Sequence, residues 1–168
     1  MVWFRTLLFT IFVPGSVTVW IPCLLLWLFP STEKIGPLQL LGLIPMVIGA
    51  TMYFIPAWDF AARGGGTPAP FSPTHHMVAK GFYRFSRNPM YVGVTMVVLG
   101  EAWLFRSWAL LILAAADFTF DYIFVKYFEE PGLIEKFGKP YLDYMTRTSR
   151  WIPLPRIRSS ASSASDHA

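Results

Sequence analysis

The sequence predicts an all-α, polytopic membrane protein with about four transmembrane helices and a C-terminal amphipathic cytoplasmic helix. Three observations carry this expectation. The chain is 54% hydrophobic and only 14% charged, with a mean hydropathy of +0.45, too apolar for an ordinary soluble domain. Its apolar runs approach the roughly 20 residues that cross a bilayer core. Its cations are unevenly distributed between the segments joining those runs.

The first span is expected over Thr6–Phe29, with Pro14 and Pro22 inside it. It is longer than the apolar core of a signal peptide, and no small-residue cleavage site follows, so it reads as a retained span. The second is expected over Pro37–Trp58, with Pro45 and Pro56. Prolines are tolerated in spans where neighbouring helices or local distortion satisfy the freed carbonyls. Residues 59–74, containing Gly64-Gly65-Gly66, read as an irregular loop.

The third span is expected over Pro89–Phe105, with Asn88 as N-cap and Pro89 at the first helical position. The fourth is expected over Ser107–Phe128. Arg106-Ser107 leaves almost no connection, so these two should form an antiparallel hairpin. Pro131 and Gly132 should break or bend the chain after Glu130. Leu133, Ile134, Phe137, Tyr141 and Tyr144 then recur at helical spacing, with Pro140 as a possible interruption, forming an amphipathic helix that lies on the membrane or caps the hairpin. One domain is expected over 1–158, with a disordered serine- and alanine-rich tail at 159–168.

Four spans put twelve cations on one side: Arg5, Arg63, Lys80, Arg84, Arg87, Lys126, Lys136, Lys139, Arg147, Arg150, Arg156 and Arg158. Only Lys34 and Arg106 lie on the other. The crowded side is expected to be cytoplasmic, with both termini there. These cations follow topology and form no continuous patch, which argues against nucleic acid as a partner. Cys23 is the only cysteine, so no intrachain disulfide can form. His75 and His76 lack a companion cluster, so no metal site is expected.

Two polar blocks flank the hairpin and fall on the same side. One runs from His75 to Gly93 and the other from Glu129 to Pro153. Adjacent carboxylates on a helix cannot face the same way. One of Glu129 and Glu130 should therefore point into the bundle, while the other pairs with Arg87 or Arg150. Glu101, Asp117 and Asp121 are ionisable groups inside spans, which are costly there and functional by default.

The blocks contain His75-x-x-Val78-x-x-Gly81-x-Tyr83, Arg87-Asn88-Pro89-x-Tyr91-x-Gly93, Glu129-Glu130-x-x-Leu133, Phe137-Gly138, Tyr141-x-x-Tyr144 and Arg150-x-x-Pro153. In order and spacing this resembles the membrane methyltransferases that include isoprenylcysteine carboxyl methyltransferase and the phospholipid methyltransferases. The resemblance covers about residues 74–153. It implies an enzyme that uses S-adenosyl-L-methionine without a Rossmann domain and acts on a lipophilic or lipid acceptor entering from the bilayer. Cofactor contacts carried over fall on His75, His76, Met77, Val78, Tyr83, Arg87, Asn88, Pro89, Met90, Tyr91, Glu129 and Glu130. Glu130, His75 and Arg150 are the expected catalytic residues.

Two departures bear on the acceptor. Asn88 stands where the isoprenylcysteine enzymes have histidine. Val125, with Lys126 beside it, stands where they carry a substrate-binding arginine. An acceptor carboxylate would lose its clamp, so amine, carboxylate, thiol and lipid headgroup all remain open. The competing readings are a small proton-coupled four-span transporter, prompted by the acids within the spans, and a non-catalytic membrane partner protein. Oligomeric state is not legible.

Overall fold

The computed structural model describes residues 2–30, 35–63 and 81–151. The expected contacts at His75, His76, Met77 and Val78, and the 159–168 tail, lie outside the described residues. All named elements are helical. The first apolar stretch is α1 (Val2–Phe12), a wide π turn over Ser16–Trp20, and α2 (Ile21–Leu28). A 3-10 turn at Gln39–Gly42 leads into α3 (Leu43–Arg63). Then come a 3-10 turn at Gly81–Arg84, α4 (Pro89–Leu104) and α5 (Trp108–Phe124). A second π turn at Val125–Glu129 continues into α6 (Glu130–Phe137), and α7 (Lys139–Arg147) follows.

Among the described residues, three helical stretches are long and apolar enough to cross a membrane: Leu7–Leu28, Gln39–Asp59 and Trp108–Phe137. The expected third span, α4, has 16 residues. At about 1.5 Å per residue it is about 24 Å long, short of a hydrocarbon core of about 30 Å. The reason lies at its start. Arg87 N–H donates to Ser149 O at 2.9 Å, and Ser86 pairs with Ser149 as an isolated parallel bridge. The chain before Pro89 is thus held extended by the C-terminal segment. The side chains around the helices suit lipid: Trp27 and Trp108 are more than three-quarters exposed.

Several boundaries depart from the sequence reading. Helix α3 continues through Asp59 to Arg63, because good helix formers persist until the glycine run begins. Pro131 and Gly132 do not end the fourth apolar helix, which runs unbroken to Phe137. The π turn explains this. Glu130 N–H bonds to Val125 O, five residues back, so the ladder widens just before the residue that has no N–H to give. Ile21 N–H bonds to Ser16 O in the same way, one residue before Pro22. The later break falls at Gly138 (φ 59°), a left-handed position that favours glycine, and Pro140 sits comfortably in the first turn of α7.

The hairpin between α4 and α5 is as expected. Its turn is Phe105–Ser107, with Arg106 at φ 49° and the Ser107 hydroxyl capping Leu110 N–H at 3.4 Å. Val98 of α4 and Leu110 of α5 are fully buried. Helix α4 packs most extensively on α3, and glycine makes this possible. A Cβ on Gly100 would lie 2.5 Å from Gly42 O, and one on Gly93 would lie 2.6 Å from Gly49 O. The pairs are seven residues apart in each helix and run in opposite directions, so the helices are antiparallel with backbones in near contact. The first stretch joins through a 3.0 Å hydrogen bond between Thr10 Oγ1 and Tyr53 Oη.

This contact predicts an asymmetry among glycines. Gly100→Ala should lower the melting temperature in detergent, at a cost of about 1–3 kcal/mol for the backbone shift. Gly132, also helical, would have its Cβ in open space, and Gly132→Ala should stabilise by about 0.5–1 kcal/mol. Thermal unfolding of the two variants checks both signs.

Candidate active site

The site begins with the widened turn, which sets Glu129 and Glu130 at the end of the long helix. The two carboxylates diverge. Glu129 is half-buried, and its Oε2 accepts a 2.9 Å hydrogen bond from Tyr91 Oη, one turn into α4. Glu130 is 4% exposed. Arg150 donates to both of its oxygens, Nε to Oε1 at 2.9 Å and Nη2 to Oε2 at 2.7 Å. Arg87 Nη1 lies 2.8 Å from Oε1 on the same carboxylate.

This ion cluster joins three parts of the chain. The Arg150 side chain remains partly exposed, whereas that of Arg87 is nine-tenths buried. The hydrogen bonds it donates to Glu130 hold the Arg150 guanidinium above its usual pKa. Arg87 Nε and Nη1 have no hydrogen-bond acceptor, Nη1 lying close to Glu130 but out of line with it. Two guanidinium N–H groups are thus buried and unsatisfied, which is rare in a settled core.

The loop before α4 is bound to the C-terminal segment. Ser86 is 2% exposed; its hydroxyl donates to Arg150 O at 3.2 Å and accepts from Asn88 N–H at 3.1 Å. Asn88 occupies the N-cap position, but its side chain makes no cap hydrogen bond. Instead Nδ2 donates to Arg150 O at 3.1 Å. The expected capping role is therefore corrected: the amide joins the Ser86 hydroxyl on the Arg150 carbonyl beside the ion cluster. Pro89 is fully buried and Met90 half-buried.

Aromatic residues close the other sides. Tyr144 Oη donates to Tyr83 O at 2.6 Å, so α7 folds back over the 3-10 turn that holds Phe82 and Tyr83. Burial, reinforced by the Glu129 charge, pushes the Tyr83 hydroxyl pKa up. Burial likewise raises Tyr144, with Tyr141 adding to it. Tyr141 is pushed up to about 12, by burial first and then by Glu130. Trp151 packs on Phe118 and Tyr122 of α5, with centroids 5.1 and 6.3 Å apart.

The described residues that the motifs singled out thus collect at one end of the bundle: Tyr83, Arg87, Asn88, Pro89, Met90, Tyr91, Glu129, Glu130 and Arg150. Ser86 and Tyr144 were not singled out as site residues, although they hold the two segments together. A lone serine gives no spacing signal, and Tyr144, although part of the Tyr141-x-x-Tyr144 motif, carries no mark of its contact with the Tyr83 carbonyl. Val125 is fully buried, and Lys126 points away, over the rings of Tyr122 and Tyr127. A recess of about 890 Å³ lies at the opposite end, beside Gly42, Trp103 and Arg106, and shares no residue with this cluster.

Comparison with known families gives one result. The profile described as phospholipid methyltransferase matches residues 38–140, more than half of the chain. The match takes in α3, the hairpin and the Glu129-Glu130 pair, and stops short of Arg150. No curated protein matches the chain.

Removing one cation from the Glu130 cluster should cost about 3–5 kcal/mol, since a buried carboxylate then loses a partner. Arg87→Ala should show this as a large fall in melting temperature, and Arg150→Lys, which loses the two-pronged contact, as a smaller one. In an alkaline titration, the raised Tyr141 pKa should make the folded state lose stability between pH 10 and about pH 12. The unfolded chain releases that phenolic proton first, so unfolding is favoured as pH rises. Tyr141→Phe should flatten that part of the stability profile.

Proposed function

The chain belongs to the phospholipid methyltransferase family, and on that premise we propose that it is a membrane methyltransferase that takes its methyl group from S-adenosyl-L-methionine at the Glu129–Arg87 cluster. The carrying observation is that a half-buried carboxylate fixed by Tyr91 stands beside a buried arginine with unsatisfied N–H groups. The residues present fit the cofactor. Glu129 has acceptor capacity for ribose hydroxyls. Arg87 Nε, which has neither a hydrogen-bond acceptor nor an ion-pair partner, suits a methionine carboxylate. Phe82 and Tyr83 offer a half-buried aromatic wall for adenine, and Asn88 to Met90 supply a rigid floor. His75 to Val78 would complete the site from the first polar block.

When bound, the cofactor supplies an electrophilic methyl group for in-line displacement. The chain's own residues then have to orient and to exclude water. Glu130 suits holding Arg87 and Arg150 in place better than taking a proton, because guanidinium groups already engage both its oxygens. His75 is the alternative base. Arg150 acts here as a clamp on Glu130, through which it positions Arg87. The acceptor is a lipophilic or membrane-associated molecule reaching the site from the bilayer. The cation asymmetry supports a cytoplasmic position for this end, where the cofactor is available. The family match does not favour the transporter reading.

Calorimetry in detergent with S-adenosyl-L-methionine tests the assignment. Tyr91→Phe should weaken binding roughly tenfold or more, the loss of a hydrogen bond to a charged group. Glu129→Ala should abolish both binding and transfer of labelled methyl to extracted membrane lipids. Wild-type binding by Glu129→Ala would refute the site.

A further inference from the structure

A second feature lies away from the ion cluster. Between the first apolar stretch and the α3–α4 pair is a groove of about 450 Å³. Its walls are mostly apolar: Pro14 and Val19 on one side, Phe54, Val94 and Val97 on the other. Three hydroxyl residues also line it, Thr10, Thr18 and Tyr53. The first and last bond each other, and Thr18 Oγ1 donates to Pro14 O at 2.8 Å.

Glu101 is the single ionisable acid in that wall. It is 9% exposed, and its Oε2 is buried without a hydrogen-bond partner. An unmade hydrogen bond at a buried carboxyl is costly. Packing alone does not account for it, since apolar residues would fill the same space at no such cost. The observation points to a donor that arrives from outside the chain.

The groove also has a direction. Val94, Val97 and Glu101 recur at helical spacing on one side of α4. Val94 is one turn from Tyr91, the partner of Glu129. Tyr53, at that end, is among the groups that interact electrostatically with Tyr83, and the 3-10 turn bearing Tyr83 packs on α3. From Val94 to Glu101 is about 10 Å along the helix. The groove shares no residue with the ion cluster; it runs along α4 from Val94, one turn past Tyr91, to Glu101.

We infer that this groove holds the apolar body of the methyl acceptor, a single-chain amphiphile, and that Glu101 is a specificity residue that binds a hydrogen-bond donor on the chain about 10 Å beyond the Val94 end of the groove. The occupant follows from the lining. Apolar walls of this volume suit a hydrocarbon body, and the unpartnered Oε2 requires a donor on it. The inference deepens the methyltransferase reading and rests on it for the word acceptor. Discrimination follows from the same asymmetry: a chain lacking the donor leaves Glu101 unsatisfied, which a site built for hydrogen bonding rejects.

The test uses two probes, a fatty acid carrying a terminal hydroxyl and its methyl-ended twin of the same length. Both are used as methyl esters, whose esterified ends have no donor to offer Glu101, which fixes their orientation. Affinities are measured by calorimetry on the full chain in detergent, without cofactor. The wild type should bind the hydroxyl-ended probe roughly tenfold more tightly. Glu101→Leu should erase that preference while keeping affinity for the methyl-ended probe. Glu101→Gln, which retains an acceptor oxygen, should keep part of it. Ile11→Trp, which fills the groove from its exposed rim, should weaken both probes. Equal affinity for the two probes in the wild type, or a preference that survives Glu101→Leu, overturns the inference. Cofactor binding is titrated separately. A chain that shows the hydroxyl preference but binds no S-adenosyl-L-methionine refutes the methyltransferase reading and leaves the groove assignment standing.

Discussion

The buried Glu130 carboxylate is the constraint on which the rest of this end of the molecule depends. A charge removed from water needs partners, and its two arginines come from residues 87 and 150, far apart in sequence. Satisfying it draws the loop before α4 against the C-terminal segment. The bridge between Ser86 and Ser149 and the Asn88 contact to Arg150 O follow from that alignment. They hold the chain extended up to Pro89, and α4 can begin only there. The brevity of α4 is therefore a consequence of the cluster, and it leaves room for a polar site at the bundle end. Buried ion pairs of this kind add little net stability over a hydrophobic replacement. Their value here is register, since one carboxylate fixes three segments.

The π turns show how the chain reaches that arrangement without breaking its helix. Both precede a proline by the same offset, Pro22 in the first stretch and Pro131 in the last. A proline deprives the preceding turn of one donor, and the wider turn lets its neighbour bond five residues back. In the first stretch Thr18 and Ser16 hydroxyls add donors to nearby carbonyls. In the last, the inserted residue changes the phase at which Glu129 and Glu130 leave the helix. One meets Tyr91 and the other the arginines. Such bulges recur at functional sites.

Much of this was legible in the sequence, and the remainder was hidden for identifiable reasons. The hairpin was readable because Asn88-Pro89 and Arg106-Ser107 are strong local punctuation. The divergence of the two glutamates followed from helical geometry alone. The α3–α4 contact was not seen, although its signal was present: Gly42 and Gly49 share a seven-residue spacing with Gly93 and Gly100. Recognising it requires matching two spans in reverse order, and neither span is unusual alone. Asn88 was read as a cap because local propensity favours that. The carbonyl of residue 150, far away in sequence and invisible to local reading, takes the amide instead. Pro131 was read as a helix breaker because a proline signal does not report the turn that accommodates it.

Acceptor selection must be sought away from the ion cluster. At Val125 the chain places a fully buried aliphatic side chain, so no cation stands where a carboxylate-bearing acceptor would be clamped. Lys126 turns outward to its aromatic neighbours. Arg150 is saturated by Glu130 on two prongs, and the free N–H groups of Arg87 belong with the cofactor in the reading above. Polar groups near the reacting end are thus committed, and little remains there to distinguish one lipophilic acceptor from another. The apolar groove runs along the same helix α4 that carries Tyr91, and among the described residues of its wall Glu101 is the buried group with an unpartnered polar atom. On the methyltransferase reading proposed above, discrimination would fall on the body of the acceptor rather than on its reacting end.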